Sequence, residues 1–143
     1  MDVNTELLNQ VYQNSQMGQL AARQLFQSID DPDMREHLDT QLLRYDYINN
    51  QALQMLNAAG QAVGNLVLPE KPAAQAAMGL KPLAGNKAQN EAEAMLQNGA
   101  AGIADITQSI SQCKDADIPV LNLAKQLLYT EEVNVEKLKK YLH

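Results

Sequence analysis

The sequence contains no tryptophan, one phenylalanine and one cysteine among 143 residues. Because Cys113 is alone, an internal disulfide and a thiolate metal cluster are both excluded. We expect Cys113 to be a buried structural thiol rather than a nucleophile. Runs of β-branched residues are also absent, whereas Ala, Leu, Gln and Asn are abundant. This mixture is typical of helices that pack closely through small and aliphatic side chains.

Basic clusters and long apolar runs are missing as well. The formal net charge is −6, and the eleven Lys and Arg residues are scattered except near the end, at Lys137, Lys139 and Lys140. Without a basic face to neutralise phosphates, nucleic acid is not expected as a partner. The apolar runs are far shorter than the roughly 20 residues of a membrane-spanning helix, and the stretch MDVNTELLNQ lacks the features of a signal peptide. We therefore expect a cytoplasmic protein that does not bind membranes.

Apolar residues recur at helical spacing in four long stretches, which predicts an all-α protein. Helix starts are indicated by Asp31 before Pro32 and by Asp117 before Pro119. Only short turns around DDPD and KDADIP separate the stretches within each half of the chain, so each half is predicted to form an antiparallel hairpin. The predicted hairpins span residues 3–59 and 87–142 of a single domain, 1–143.

The segment between the hairpins, residues 60–85, has a different composition. It holds four of the seven glycines and three of the five prolines, which predicts an irregular connection with one short helix near 72–79. Two helical hairpins joined by one long crossover are typical of an up-down four-helix bundle with ferritin-like topology.

The two halves share an unusual sequence pattern, because QNSQMG at 13–18 is echoed by QNGAAG at 97–102. We interpret the echo as an internal duplication with a pseudo-twofold axis. A shift of 84 residues applies to the first helices, and a shift of 85 to the second helices. These shifts align Asn14 with Asn98, Gly18 with Gly102, Asp46 with Glu131, and Asn49 with Asn134. We expect Gly18 and Gly102 to face each other, so that their helices approach closely.

On these residues the chain resembles the ferritin-like superfamily. In its di-metal members, one helix of each hairpin provides a Glu and the other provides Glu-x-x-His. The second-helix elements look like Asp46-Tyr-Ile-Asn49 and Glu131-Glu-Val-Asn134, and the first-helix positions are Asn14 and Asn98. The resemblance implies an iron or manganese site. Because amides replace both imidazoles and both first-helix carboxylates, and amides are poor ligands for these metals, we expect the site to be lost and no cofactor to bind.

Glu131 interrupts an apolar stripe, and a buried carboxylate without a partner is costly. One hypothesis makes it a metal ligand or general base together with Asp46 across the bundle, and with Glu132 as a further candidate. The hypothesis we favour places Glu131 in a hydrogen-bonded cluster or ion pair, and a third rotates it to the rim of the bundle. The candidate partners in the favoured hypothesis are Asn14, Asn49, Asn98, Asn134, Arg23 and Arg44.

Three functions are compatible with these observations. The leading one is a non-enzymatic structural or interaction protein of a bacterial-type cytosol, similar to uncharacterised and spore-coat-like families. We expect it to bind a protein partner or to form a homodimer through Leu8, Leu20 and Phe26. The alternative is a metal-dependent oxidoreductase or metal-binding protein built on Glu131 and Asp46. A small-ligand carrier is the third, and it requires that Gly18, Gly99 and Gly102 line a void.

Overall fold

A computed structural model of the chain describes residues 2–60 and 87–143, and these form four long α-helices without a strand. Helix α1 is Val3–Ser28, α2 is Pro32–Ala58, α3 is Lys87–Gln112 and α4 is Ile118–Leu142. The helices occupy the four predicted stretches, and the all-α prediction is confirmed. The predicted crossover at 60–85, except for Gly60, and the short helix predicted near 72–79 lie outside the described residues.

Aspartates precede three of the helices, but they do not cap them equally. Asp2 accepts a hydrogen bond from the Thr5 amide at 2.8 Å, and Asp31 accepts one from the Met34 amide at 2.9 Å. Each bond satisfies a backbone donor that has no partner within its own helix. Asp117 occupies the same position before α4 without a side-chain capping bond, and its backbone N–H donates to Asn4 Oδ1 at 2.7 Å instead.

This difference gives a prediction about the two internal helix starts. We expect Asp31→Ala to lower the free energy of unfolding by about 1 kcal/mol, because it removes the capping acceptor. Asp117→Ala removes no such bond, so we expect a loss of only a few tenths of a kcal/mol at that site. Urea unfolding of both variants measures the difference. Equal losses would contradict the assigned caps.

Contacts between helix ends establish the directions of the helices. Asn4 at the start of α1 meets Asp117 at the start of α4, so these two helices run in the same direction. Lys137 near the end of α4 pairs with Asp33 at the start of α2 at 3.2 Å, so α2 and α4 are antiparallel. Each helix packs against its neighbours in the order α1, α2, α4, α3 and back to α1. Consequently α2 ends and α3 begins at opposite ends of a four-helix bundle.

The core is divided into two apolar clusters, one towards each end of the bundle. The first includes Leu7, Val11, Ile48, Leu56 and Leu127, and the second includes Leu25, Ile29, Met34, Leu38 and Leu138. Cys113 is buried in the first cluster, as predicted. Buried polar side chains lie between the clusters at the middle of the bundle: Ser15, Gln19, Gln41, Asn49, Thr130, Glu131 and Asn134. We call this set the polar layer.

The outer surface differs from the sequence-based expectation. Leu8 is buried, Leu20 is partly buried against the second cluster, and Phe26 is partly buried and covered by the Arg35 guanidinium at 4.0 Å. Leu8 therefore does not contribute to the predicted dimer surface, whereas Leu20 and Phe26 remain partly exposed. Within the described residues, the exposed large apolar side chains are instead Leu43, Tyr47, Ile118 and Tyr129. No helix within 2–60 or 87–143 combines the length and apolarity needed to cross a bilayer.

Candidate functional site

A cavity of about 140 Å³ lies beside the polar layer at the middle of the bundle. All four helices contribute to its wall. The polar contributors are Asn14 from α1, Tyr45 from α2, Asn98 and Asp105 from α3, and Glu131 and Asn134 from α4. The remaining wall consists of small and apolar residues: Met17, Gly18, Ala21, Met95, Ala101 and Gly102. The cavity is the place where the sequence predicts a vestigial metal site.

Glu131 is the buried acid of this cavity, with 5% of its surface exposed. Burial raises the pKa of its carboxyl from 4.5 to about 7, and the nearby Tyr45 hydroxyl opposes the rise. Burial also raises the pKa of the Tyr45 phenol, and the charge of Glu131 raises it further. No ion pair reaches Glu131 from the described part of the chain. The carboxyl therefore changes its charge state near neutral pH.

The glycines make room for the side chains of the second helices. A methyl group on Gly18 would overlap the Tyr45 ring, so the ring lies directly against the α1 backbone. A methyl group on Gly102 would lie 3.9 Å from Glu131 Cδ, and one on Gly99 would lie 2.9 Å from Val135 Cγ2. The expectation that Gly18 and Gly102 pack against each other is thus corrected. Gly18 and Gly99 make room for inward residues of the second helix in their own hairpins, whereas a methyl group on Gly102 would fit at an ordinary contact distance.

Three of the four predicted asparagines surround Glu131. Asn14, Asn98 and Asn134 line the cavity. Asn49 does not, because its side-chain amide donates to Ser15 Oγ at 3.0 Å and to the Tyr12 carbonyl at 3.3 Å. The prediction of a central amide cluster therefore needs correction at Asn49, which joins α2 to α1 instead.

The other candidate ligands and partners of Glu131 lie on the outside. Asp46 is exposed and accepts a hydrogen bond from Gln19 at 3.3 Å, and Glu132 is exposed on α4. Arg23 and Arg44 are exposed too. The structure therefore does not bring Asp46 or Glu132 to Glu131, and neither arginine pairs with it.

The residues at the cavity do not fit the di-metal centre that a ferritin-like bundle implies. They offer one buried carboxylate, a phenol and amides, with Asp105 exposed at the rim. Iron and manganese sites of this kind are built from carboxylates and imidazoles. Within residues 2–60 and 87–143, no three His, Cys, Asp or Glu side chains are grouped in a way that could hold a metal ion.

Two polar residues near the cavity were not assigned to it from the sequence. Tyr45 lines the cavity together with Glu131. His37 Nε2 lies 2.9 Å from Asn134 Oδ1. Burial lowers the pKa of His37 and the hydrogen bond to Asn134 opposes that change. The spacing of His37, Gln41 and Tyr45 by four residues was the signal that all three share one face of α2.

The pattern of burial also corrects the alignment of the two hairpins. Three residues separate α1 from α2, whereas five separate α3 from α4, so the shift between the second helices is 86 rather than 85. At this shift Asp31 and Asp117, which directly precede the second helices, coincide, and Tyr45 coincides with Glu131. Buried positions then match along both helices: Met34 with Val120, Leu38 with Ala124, Ile48 with Asn134, and Ala52 with Leu138.

Comparisons with known proteins inform the fold alone. No protein-family model matches the chain, and no curated protein matches it either. The structure is similar to a crystal structure of a DUF305 fragment from Deinococcus radiodurans, with a TM-score of 0.75 over 99% of this chain and 96% of that chain. The two sequences are 15% identical. The similarity therefore supports the helical bundle and assigns no activity.

Proposed function

We propose that the protein is a non-enzymatic ferritin-like bundle that has lost its di-metal site and acts by binding another protein chain. One observation carries the proposal: among residues 2–60 and 87–143, Glu131 is the sole buried carboxylate lining the central cavity, while Asp46 and Glu132 lie on the surface. The matched burial of the two hairpins supports an origin by internal duplication. A metal-dependent oxidoreductase would require ligands that the cavity does not offer.

An exposed groove between α2 and α4 is the candidate binding surface. Its apolar part is formed by Leu43, Tyr47 and Tyr129, whose side chains are 74%, 54% and 61% exposed. Arg44 and Lys125 lie in the same groove. Exposed aromatic side chains next to cations are typical of protein interfaces. We call these five residues the tyrosine groove.

The charge of the groove favours an acidic partner. Arg44 and Lys125 add positive charge to an otherwise acidic molecule of net charge −6. A second copy of this chain meets that requirement, because its remaining surface is acidic, and self-association is the form of binding we propose first. Such an interface weakens as ionic strength rises, because exposed charges are screened.

Self-association predicts a concentration-dependent mass. In sedimentation experiments we expect the wild-type chain to self-associate as its concentration rises and the variant Leu43→Glu with Tyr129→Glu to remain monomeric with unchanged helix content. Two negative charges would replace apolar contact area in the groove. Ile118→Glu is the matched control, since Ile118 is 72% exposed but outside the groove. A wild-type monomer at the highest attainable concentration would rule out self-association.

The loss of the metal site is tested separately. We expect protein purified after iron or manganese supplementation to carry substoichiometric metal, and metal addition to leave the melting temperature unchanged. Stoichiometric metal that disappears in Glu131→Ala would overturn the proposal in favour of the oxidoreductase or metal-binding alternative.

A further inference from the structure

The central cavity is large enough to hold more than water. At about 140 Å³, it exceeds by roughly tenfold the 10–15 Å³ that one water requires, and it is close to the roughly 150 Å³ of an apolar cavity that binds benzene. Gly18 and Gly102 both line this space, and neither adds a side chain to its wall. The cavity therefore has room for a molecule of about six non-hydrogen atoms.

Unpartnered donors surround this space. The hydroxyl of Tyr45 and the side-chain nitrogens of Asn14, Asn98 and Asn134 are buried without a hydrogen-bond partner in residues 2–60 and 87–143. Tyr45 is fully buried, and Asn134 is 1% exposed. A buried donor left without an acceptor destabilises the folded chain. Four of them around one cavity point to a ligand that supplies acceptors.

The side-chain oxygens of two of these amides already have partners. Asn14 Oδ1 accepts a hydrogen bond from Gln10 Nε2 at 2.9 Å, and Asn134 Oδ1 lies 2.9 Å from His37 Nε2. With both oxygens engaged, the nitrogens are the ends left for the cavity. The wall thus presents N–H and O–H donors from α1, α2, α3 and α4.

The charges around the cavity decide between classes of ligand. The ionisable groups that line it are Glu131, Tyr45 and, at the exposed rim, Asp105, and no Lys or Arg of the described residues contributes to the wall. An anion would meet like charge from the carboxylates, and a metal or ammonium ion would meet amide and hydroxyl donors instead of acceptors. A neutral molecule with a carbonyl oxygen satisfies the donors, and an N–H on the same molecule can bond to Glu131.

We infer that the cavity bounded by Gly18, Tyr45, Gly102, Glu131 and Asn134 is a binding site for a small neutral molecule that carries both a carbonyl acceptor and an N–H donor, such as a short carboxamide. Its carbonyl accepts hydrogen bonds from Tyr45 and the asparagine amides, and its N–H group donates to the Glu131 carboxylate. This site is separate from the tyrosine groove and does not depend on self-association.

The test is a titration of the full chain with acetamide and propionamide, followed through the side-chain NH₂ signals of Asn14, Asn98 and Asn134 in ¹H–¹⁵N NMR spectra. We expect saturable shifts of these signals and a higher melting temperature. Sodium acetate, methylammonium chloride and benzene serve as anionic, cationic and apolar probes of similar size. Saturation by one of these three probes but by neither carboxamide would overturn the inference. Saturation by no compound would also overturn it and would indicate that water alone fills the cavity.

Two variants locate the binding in the cavity. Tyr45→Phe removes a donor without changing the shape of the site, and we expect it to weaken carboxamide binding about tenfold, the usual effect of one hydrogen bond. Tyr12→Phe is the matched control, because Tyr12 is buried but does not line the cavity. Gly102→Ala adds a methyl group to the wall and is expected to weaken binding in a fully folded protein. Unchanged affinity in both cavity variants would overturn the inference.

Discussion

Replacing Glu131 with Gln is expected to make the protein more stable by about 3 kcal/mol above pH 7, with almost no effect in mild acid. The reason is the buried carboxyl in the central cavity, whose pKa rises from 4.5 to about 7 in the folded chain. Gln has nearly the same shape and no charge. The variant therefore removes the ionisation of this group and leaves the packing in place.

The sign follows from proton binding. Between pH 4.5 and about 7, Glu131 keeps its proton in the folded chain and loses it in the unfolded chain. The folded state binds more protons in this window, so the free energy of unfolding falls as pH rises through it and stays low above it. This contribution of residue 131 to the pH dependence of the unfolding free energy is present in the wild-type chain and absent from Glu131→Gln.

Urea unfolding at several pH values measures the effect as the difference between Glu131→Gln and wild type. Taking a difference cancels other titrating groups, including Asp2, whose pKa is lowered mainly by its capping bond to Thr5. Glu132→Gln is the matched control, since Glu132 is the exposed neighbour on α4. A difference that stays constant from mild acid to above neutral pH would show that Glu131 is not a buried proton-binding group.

The glycines predict the second large effect, with opposite signs at two positions. Gly18→Ala is expected to lower the free energy of unfolding by about 1–3 kcal/mol, because the new methyl group overlaps the Tyr45 ring and forces it out of its buried position. Gly102→Ala is expected to raise it by roughly 1 kcal/mol, because alanine favours the helix and its methyl group would lie at an ordinary contact distance from Glu131.

Thermal or urea unfolding of the two variants checks this prediction. Without a steric difference, both substitutions would be stabilising, since each replaces glycine within a helix. Combining Gly18→Ala with Tyr45→Leu provides the control, because a smaller side chain gives the methyl group room and the two effects should not add. Equal responses at the two glycines would contradict the contact between Gly18 and Tyr45.

Much of the fold could be predicted from the sequence because its signals are local and repeated. The helical spacing of apolar residues marks four helices, and Asp31 before Pro32 marks a helix start that the structure confirms. The short turns limit each hairpin to an antiparallel pair. These features depend on neighbours in the chain, so a single sequence reveals them.

The site was predicted less well, because one residue along a helix corresponds to a rotation of about 100°. Identities such as Asn49 with Asn134 favour a shift of 85 residues, which aligns exposed Asp46 with buried Glu131. The structure has a turn two residues longer in the second hairpin, and the shift of 86 puts Tyr45 opposite Glu131. Asn14 and Asn98, which the shift of 84 relates to each other, both line the cavity.

The correspondence of Tyr45 with Glu131 also makes the centre of this bundle unusually easy to redesign. In the first hairpin Gly18 faces the aromatic ring of Tyr45, and in the second hairpin Gly102 faces the acid Glu131. Tyr45→Glu would put two carboxyl groups into the same cavity, where they would share a proton or attract a cation. A single substitution would thus convert a cavity with one carboxyl group into a paired-carboxylate centre, which makes this chain a compact scaffold for building a metal site.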